Sequence, residues 1–133
     1  MARTGDDLEG YLTKLERRFE RLADGTYLIA MAPRQPPVAL RVVPPVVVTQ
    51  VDIGRVPEQD AARCSALYKR LLELNAQDLM HAAYGLTGDR ITLTSALELD
   101  NLDLNELEAV LADISMALSE HVPALRQLVG QQS

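Results

Sequence analysis

The stretch Ala82–Leu99, "AAYGLTGDRITLTSALEL", decides how this chain is read. Met80, Ala82, Tyr84 and Leu86 alternate with other residues, Thr87-Gly88-Asp89 interrupts, and Ile91, Leu93, Leu97 and Leu99 alternate again. Successive side chains of a strand point to opposite faces, so two period-two runs joined at a glycine predict a β-hairpin. The residues before it, "VPEQDAARCSALYKRLLELNAQ", have helical spacing. Pro57 suits a first helical turn, and Glu58 and Asp60 suit the positive end of the helix dipole. Cys64, Leu67, Tyr68, Leu71 and Leu72 form the apolar stripe, widened by Leu74.

After the hairpin comes "NLDLNELEAVLADISMALSEHV". Asp103 and Glu106 have the spacing of a capping box, and Leu102 and Leu107 that of a hydrophobic staple. The stripe Leu107, Val110, Leu111, Ile114, Leu118 and Val122 continues the helix, and Pro123 kinks it or begins a short final turn through Leu125 and Leu128.

The front half begins with a helix whose apolar face is Leu8, Tyr11, Leu12, Leu15, Phe19 and Leu22, capped by Thr4 with Asp7 or Asp6 with Glu9, and stopped at Asp24-Gly25. Three strands follow: "TYLIAMA", "VALRVV" and "VVVTQVDIG". Tyr27 and Ile29 share one side of the first, Arg41 opposes Leu40 and Val42 in the second, and Gln50 and Asp52 alternate with Val51 and Ile53 in the third. Pro33, Pro36, Pro37, Pro44 and Pro45 fall between them, as proline must, since it cannot donate to a ladder. The order is α-β-β-β-α-β-β-α: one α+β domain, residues 1–133, with helices packed on a twisted, mostly antiparallel sheet.

Composition narrows the function. The chain has 133 residues and a formal net charge of −6, with 24% charged and 4% aromatic residues. Nucleic-acid affinity comes mostly from Lys and Arg releasing counterions from phosphates, and single strands need aromatic platforms. The one basic run, "KLERRFER", is interrupted by Glu16 and Glu20 and reads as a mixed, solvated surface. No nucleic-acid partner is expected. Cys64 is the single cysteine, which fits a reducing compartment. The opening "MARTGDDLEG" has no apolar core of a secretory signal, and "VALRVVPPVVVTQV" is too short and broken to span a bilayer, so a cytoplasmic protein with no membrane partner is expected.

The search for chemistry yields little. Cys64 lies on an apolar stripe, where a thiol is an inert small hydrophobe. His81 and His121 share no metal-ligand spacing with each other or with Cys64. The acid pairs Asp100–Asp103 and Glu106–Glu108 fall where capping and a solvated helix face explain them. "GLTG" is a turn and not a phosphate loop. No catalytic, metal-binding or cofactor-binding residue is assigned, and no enzyme is expected.

The segment "LYKRLLELNAQDLMHAAYGLTGDRITLTSALELDNLDLNELEAVLADI", Leu67 to Ile114, resembles the C-terminal half of the YbjN-like proteins and of the class I type III secretion chaperones of the CesT kind. A leucine-rich helix ending in Asn leads to a short strand, a turn, a strand of alternating leucines, an acidic break and a long final helix. The resemblance implies a non-enzymatic homodimer with surface apolar grooves that hold an extended or partly unfolded segment of a partner protein, such as a secreted effector. The competing reading is a small adaptor that binds a folded partner; a small-ligand binder or enzyme comes third. Leu67 and Leu74, one heptad apart beside the main stripe, are the expected dimer contacts. Tyr27, Ile29, Val46 and Val48 are the expected partner-binding positions.

Overall fold

The computed structural model describes residues 2–129. Its elements are α1 (Gly5–Lys14), β1 (Phe19–Arg21), β2 (Tyr27–Ile29), β3 (Val38–Val43), β4 (Val46–Arg55), α2 (Ala61–Gln77), β5 (Ala83–Thr87), β6 (Arg90–Glu98) and α3 (Leu104–Met116), then a π turn (Ala117–His121) and a short α4 (Val122–Leu125). The strands form one antiparallel sheet in the order β1-β2-β3-β4-β6-β5. The fold class and element order are those the sequence predicts, with one short edge strand added at the front.

That added strand marks where the first helix was read too long. Leu15, Phe19 and Leu22 keep helical phase with Leu8 and Leu12, yet α1 ends at Lys14. Glu16 takes a left-handed φ of 58°, its N–H bonds Thr13 O at 3.0 Å, and the Arg17 N–H bonds Leu12 O at 2.9 Å. This is the Schellman stop, ordinarily signalled by glycine at the left-handed position. Here a glutamate occupies it, so the sequence gives no warning. Phe19–Arg21 is then free to pair with β2, Phe19 opposite Ile29 and Arg21 opposite Tyr27. Asp24-Gly25 serves as the turn between β1 and β2: the Thr26 N–H donates to the Asp24 carboxylate and Gly25 supplies a φ of 89°.

The capping and turn signals hold, but two element starts move: Asp60 caps α2 by accepting the Arg63 N–H, which leaves Pro57 and Glu58 ahead of the helix, and Met80 lies in the loop before β5 and not in the strand. Thr4 and Asp7 form a capping box on α1, and Asp103 and Glu106 form one on α3. Leu102 and Leu107, the staple pair, are both fully buried. The hairpin turns at Gly88, φ 61°, where two-residue loops need a positive φ.

One core runs through the molecule. Tyr27, Ile29, Val38, Leu40, Val47, Val51, Ile91 and Leu93 line one face of the sheet and pack against Leu8 and Leu12 of α1, Leu67, Leu71 and Leu74 of α2, and Leu107, Leu111 and Ile114 of α3. On α2 the buried stripe differs from the expected one. Leu67, Leu71 and Leu74 face the core with Cys64 half-buried beside them, whereas Tyr68 is 37% exposed and Leu72 68% exposed. The expected stripe ran about one residue around the helix from the true one, because α2 carries enough leucines to satisfy either phase.

Two substitutions check the helix ends. Asp103→Ala removes the α3 cap and lowers stability by about 0.5–2 kcal/mol, read as a lower denaturation midpoint. Glu16→Gly relieves a left-handed backbone that costs an L-residue roughly 1–2 kcal/mol, offset in part by glycine's greater freedom when unfolded, and raises stability by up to about 1 kcal/mol.

Candidate protein-binding surface

Strand alternation gives the sheet a second face, and no helix among the described residues covers it. Leu28 on β2, Ala39, Arg41 and Val43 on β3, Val46, Val48, Gln50 and Asp52 on β4, and Thr94 and Ala96 on β6 all point away from the core; they are half-buried or exposed. The register aligns them in rows: Leu28 beside Ala39, Ala39 beside Gln50, Gln50 beside Thr94, and Arg41 beside Val48, Val48 beside Ala96. Most are short and uncharged, so the face is shallow, with depressions between longer neighbours. One, of about 470 Å³, lies over Leu28, Ala39, Val48 and Gln50, walled by Pro36, Pro37 and Arg41. A second, of about 360 Å³, adjoins it at Leu28 and Pro37 and reaches Arg18 and Phe19. A third, of about 610 Å³, adjoins it at Val48 and runs over Ala83, Thr94 and Ala96 to Met80. Together they make one trough across the strands. Asp52 is held at one margin by a bidentate ion pair with Arg90, whose Nε donates to Oδ1 at 3.2 Å and whose Nη2 donates to Oδ2 at 2.9 Å.

The two edges of the sheet differ. On β5 the Asn75 side chain of α2 accepts from the Tyr84 N–H at 2.7 Å and donates to the Tyr84 carbonyl at 3.0 Å. An amide bonded both ways imitates a neighbouring strand and closes that edge at its centre. On β1 the inward bonds fall at Arg18 and Leu22, whose backbone groups pair with Ala30 and Thr26 at 2.9 and 2.8 Å. By alternation the backbone groups of Phe19 and Arg21 point outward from the sheet.

A polar corner backs the Met80 end of the trough. One carboxylate oxygen of Asp113, on α3, accepts the backbone N–H groups of Met80, His81 and Ala82 at 3.2, 2.8 and 2.9 Å. Beside it, Tyr84 Oη lies 2.9 Å from His121 Nδ1, and His121 Nε2 lies 2.9 Å from an Asp78 carboxylate oxygen. Burial, then the charges of Asp113 and Asp78, push the Tyr84 phenol above the ordinary tyrosine range. It stays protonated and can donate to His121. Among the described residues no group of three or more His, Cys, Asp or Glu side chains is placed to hold a metal ion, and no helix is long and apolar enough to cross a membrane.

The expected site residues divide. Val46 and Val48 lie on the open face, half-buried. Tyr27 and Ile29 do not: they pair with Leu40 and Val38 on the core face and are buried. The Tyr27 hydroxyl donates to Glu9 Oε2 at 3.1 Å, inside the packing of α1 on the sheet. Leu67 and Leu74 are likewise core residues and offer no surface to a second copy. Leu28, Ala39 and Ala96 went unassigned, although the polar residues Arg41, Gln50 and Asp52 mark their side of the strands.

A single antiparallel sheet with helices on one face and an open trough on the other defines a class of small α+β proteins. Within that class the family model CesT_Tir_1 matches residues 1–131, and the chain belongs to that family of type III secretion chaperones. Among solved structures, YbjN from E. coli is similar with a TM-score of 0.70 at 12% identity, over 100% of this chain and 99% of that one. A chain of the heterodimeric ExoU–SpcU complex from the type III secretion system of Pseudomonas aeruginosa gives 0.65 at 16% identity, over 87% and 95%. The Yersinia pestis type III secretion chaperone SycH, solved with a stable fragment of YscM2, gives 0.59 at 22% identity, over 86% and 99%. These likenesses show the fold. No curated protein matches the chain in sequence.

Proposed function

We propose that the whole chain, residues 1–133, is a non-enzymatic, homodimeric chaperone of the cytoplasm that holds an extended or partly unfolded segment of a partner protein, such as a secreted effector, across the open face of its sheet. The observation that carries this reading is the open trough, floored mainly by apolar and small residues from Leu28 past Ala39 and Val48 to Ala96 and Met80, with Arg18, Glu20, Arg41 and Asp52 along its margins. A folded partner is convex and meets so shallow a surface at few points. An extended segment can follow the whole trough, place alternate side chains in its depressions, and add a strand beyond β1. SycH in complex with a stable fragment of YscM2 and the HopA1–SchA chaperone–effector complex, both similar in fold, support a partner protein for this chain.

The dimer contact is proposed on the outer side of α2. Tyr68 and Leu72 stand exposed there, and Leu86, on the adjoining strand β5, is 51% exposed. Repeated by a two-fold axis, these residues form a self-complementary apolar patch.

Two experiments test these proposals. Val48→Arg combined with Ala96→Arg places two long charged side chains in the middle of the trough without touching the core. The variant stays folded by circular dichroism and loses about tenfold or more in affinity for a co-expressed partner, equivalent to about 1.4 kcal/mol. Limited proteolysis of that partner decides the mode: a segment cleaved when free and protected when bound supports a chaperone, and a segment resistant in both states makes the protein an adaptor. For the dimer, Leu72→Glu gives a folded monomer by light scattering, whereas Leu67→Glu buries a charge in the core and abolishes the fold. A dimeric Leu72→Glu protein moves the interface off α2.

A further inference from the structure

The loop Asp78–Ala82 is fixed more firmly than a surface connection requires. Three of its N–H groups share the Asp113 carboxylate, and the Asp78 side chain bonds His121. The same loop displays Met80, 85% exposed, at the end of the trough. Both of its anchors come from the C-terminal helical segment, Asp113 from α3 and His121 from the end of the π turn.

Their spacing makes the π turn significant. Asp113 and His121 are eight residues apart, which in an unbroken α-helix is about 800°, some 80° past two full turns. Side chains so placed diverge by nearly a quarter turn. In the π turn the Val122 N–H bonds the carbonyl of Ala117, five residues back, so the wide turn takes up one residue. The remaining seven residues are within about 20° of two turns, the phase of a heptad. Pro123 favours this irregularity, because it has no N–H to close an α-helical bond to the Ser119 carbonyl.

We propose that the π turn Ala117–His121 is a phasing device that brings His121 onto the face of Asp113, so that the two clamp the Met80 loop and the loop and C-terminal turn open together as one unit. Tyr84 completes the clamp from β5 by occupying the other ring nitrogen of His121. Coupling of this kind is reciprocal, since whatever loosens one element must loosen the other.

Amide hydrogen exchange on the full chain tests the clamp. Asp78→Ala cuts the outer link at a position whose side chain is 44% exposed, so the core is left intact. Exchange at Met80, His81 and Ala82 and at the π-turn amides then accelerates together by about tenfold or more, the scale of a lost charge-assisted hydrogen bond, while β3 and β4 amides keep their protection. Asp78→Asn, which retains an acceptor for His121, restores the protection. Asp113→Asn, perturbing the clamp from the other anchor, speeds exchange in the π turn as well. The inference is overturned if Asp78→Ala leaves either the loop or the π turn unchanged, or if exchange rises uniformly across the sheet. Because the readout is exchange and not partner binding, the result stands whether or not the trough holds a partner.

Discussion

A β-sheet has two faces, and this chain has helices for one. The constraint follows from the period of the strands: Val47, Thr49 and Val51 of β4 turn inward and Val46, Val48, Gln50 and Asp52 turn outward, with no intermediate choice. Once α1, α2 and α3 have packed on Tyr27, Leu40 and Leu93, the outward rows of the sheet are left to solvent or to another molecule. Arg41, Gln50 and Asp52 keep that face soluble, and the small residues between them keep it shallow. The trough, the difference between the two edges and the Met80 loop are arranged around this one-sided sheet.

The family to which the chain belongs gives that arrangement a use. The surfaces left uncovered are what matter on that reading, because a protein that holds another chain needs area, adaptable apolar contacts and a backbone able to pair. On the proposed reading Met80 supplies the adaptable contact, being unbranched and polarizable, while Asp113 accepts its backbone N–H from behind.

Most of the fold was legible because its signals are local. Capping boxes are spelled out within four residues, at Thr4–Asp7 and Asp103–Glu106, and the hairpin carries its own glycine at Gly88. The errors arose where two phases were equally well written. The first helix ended early because Glu16, and not a glycine, adopts the left-handed conformation, while Phe19 and Leu22 sustained a false helical period. On α2, leucines at 67, 71, 72 and 74 allowed two stripes, and only packing against the sheet selects Leu67, Leu71 and Leu74. The expected partner-binding positions separate for the same kind of reason: Val46 and Val48 share the parity of Gln50 and lie on the open face, but Tyr27 and Ile29 lie opposite Leu40 and Val38 on the core side. Face assignment across separate strands depends on register, and register is a property of pairing that no single segment contains. The polar corner of Asp113, His121, Asp78 and Tyr84 was beyond reach for a further reason: Pro123 marks an irregularity in the helix but does not say that it takes the form of a π turn or which residues it brings into phase.

The Asn75 side chain that occupies the Tyr84 backbone groups has a consequence for assembly. Open-ended stacking of sheets requires two mutually available borders, so that each added copy presents a fresh one. Here one border is occupied by the protein's own amide and the other is three residues long. A second copy arriving at β5 therefore meets Tyr84 groups that are already taken, and one arriving at β1 finds only three residues to pair with. The free protein thus offers little border for its own copies to stack on.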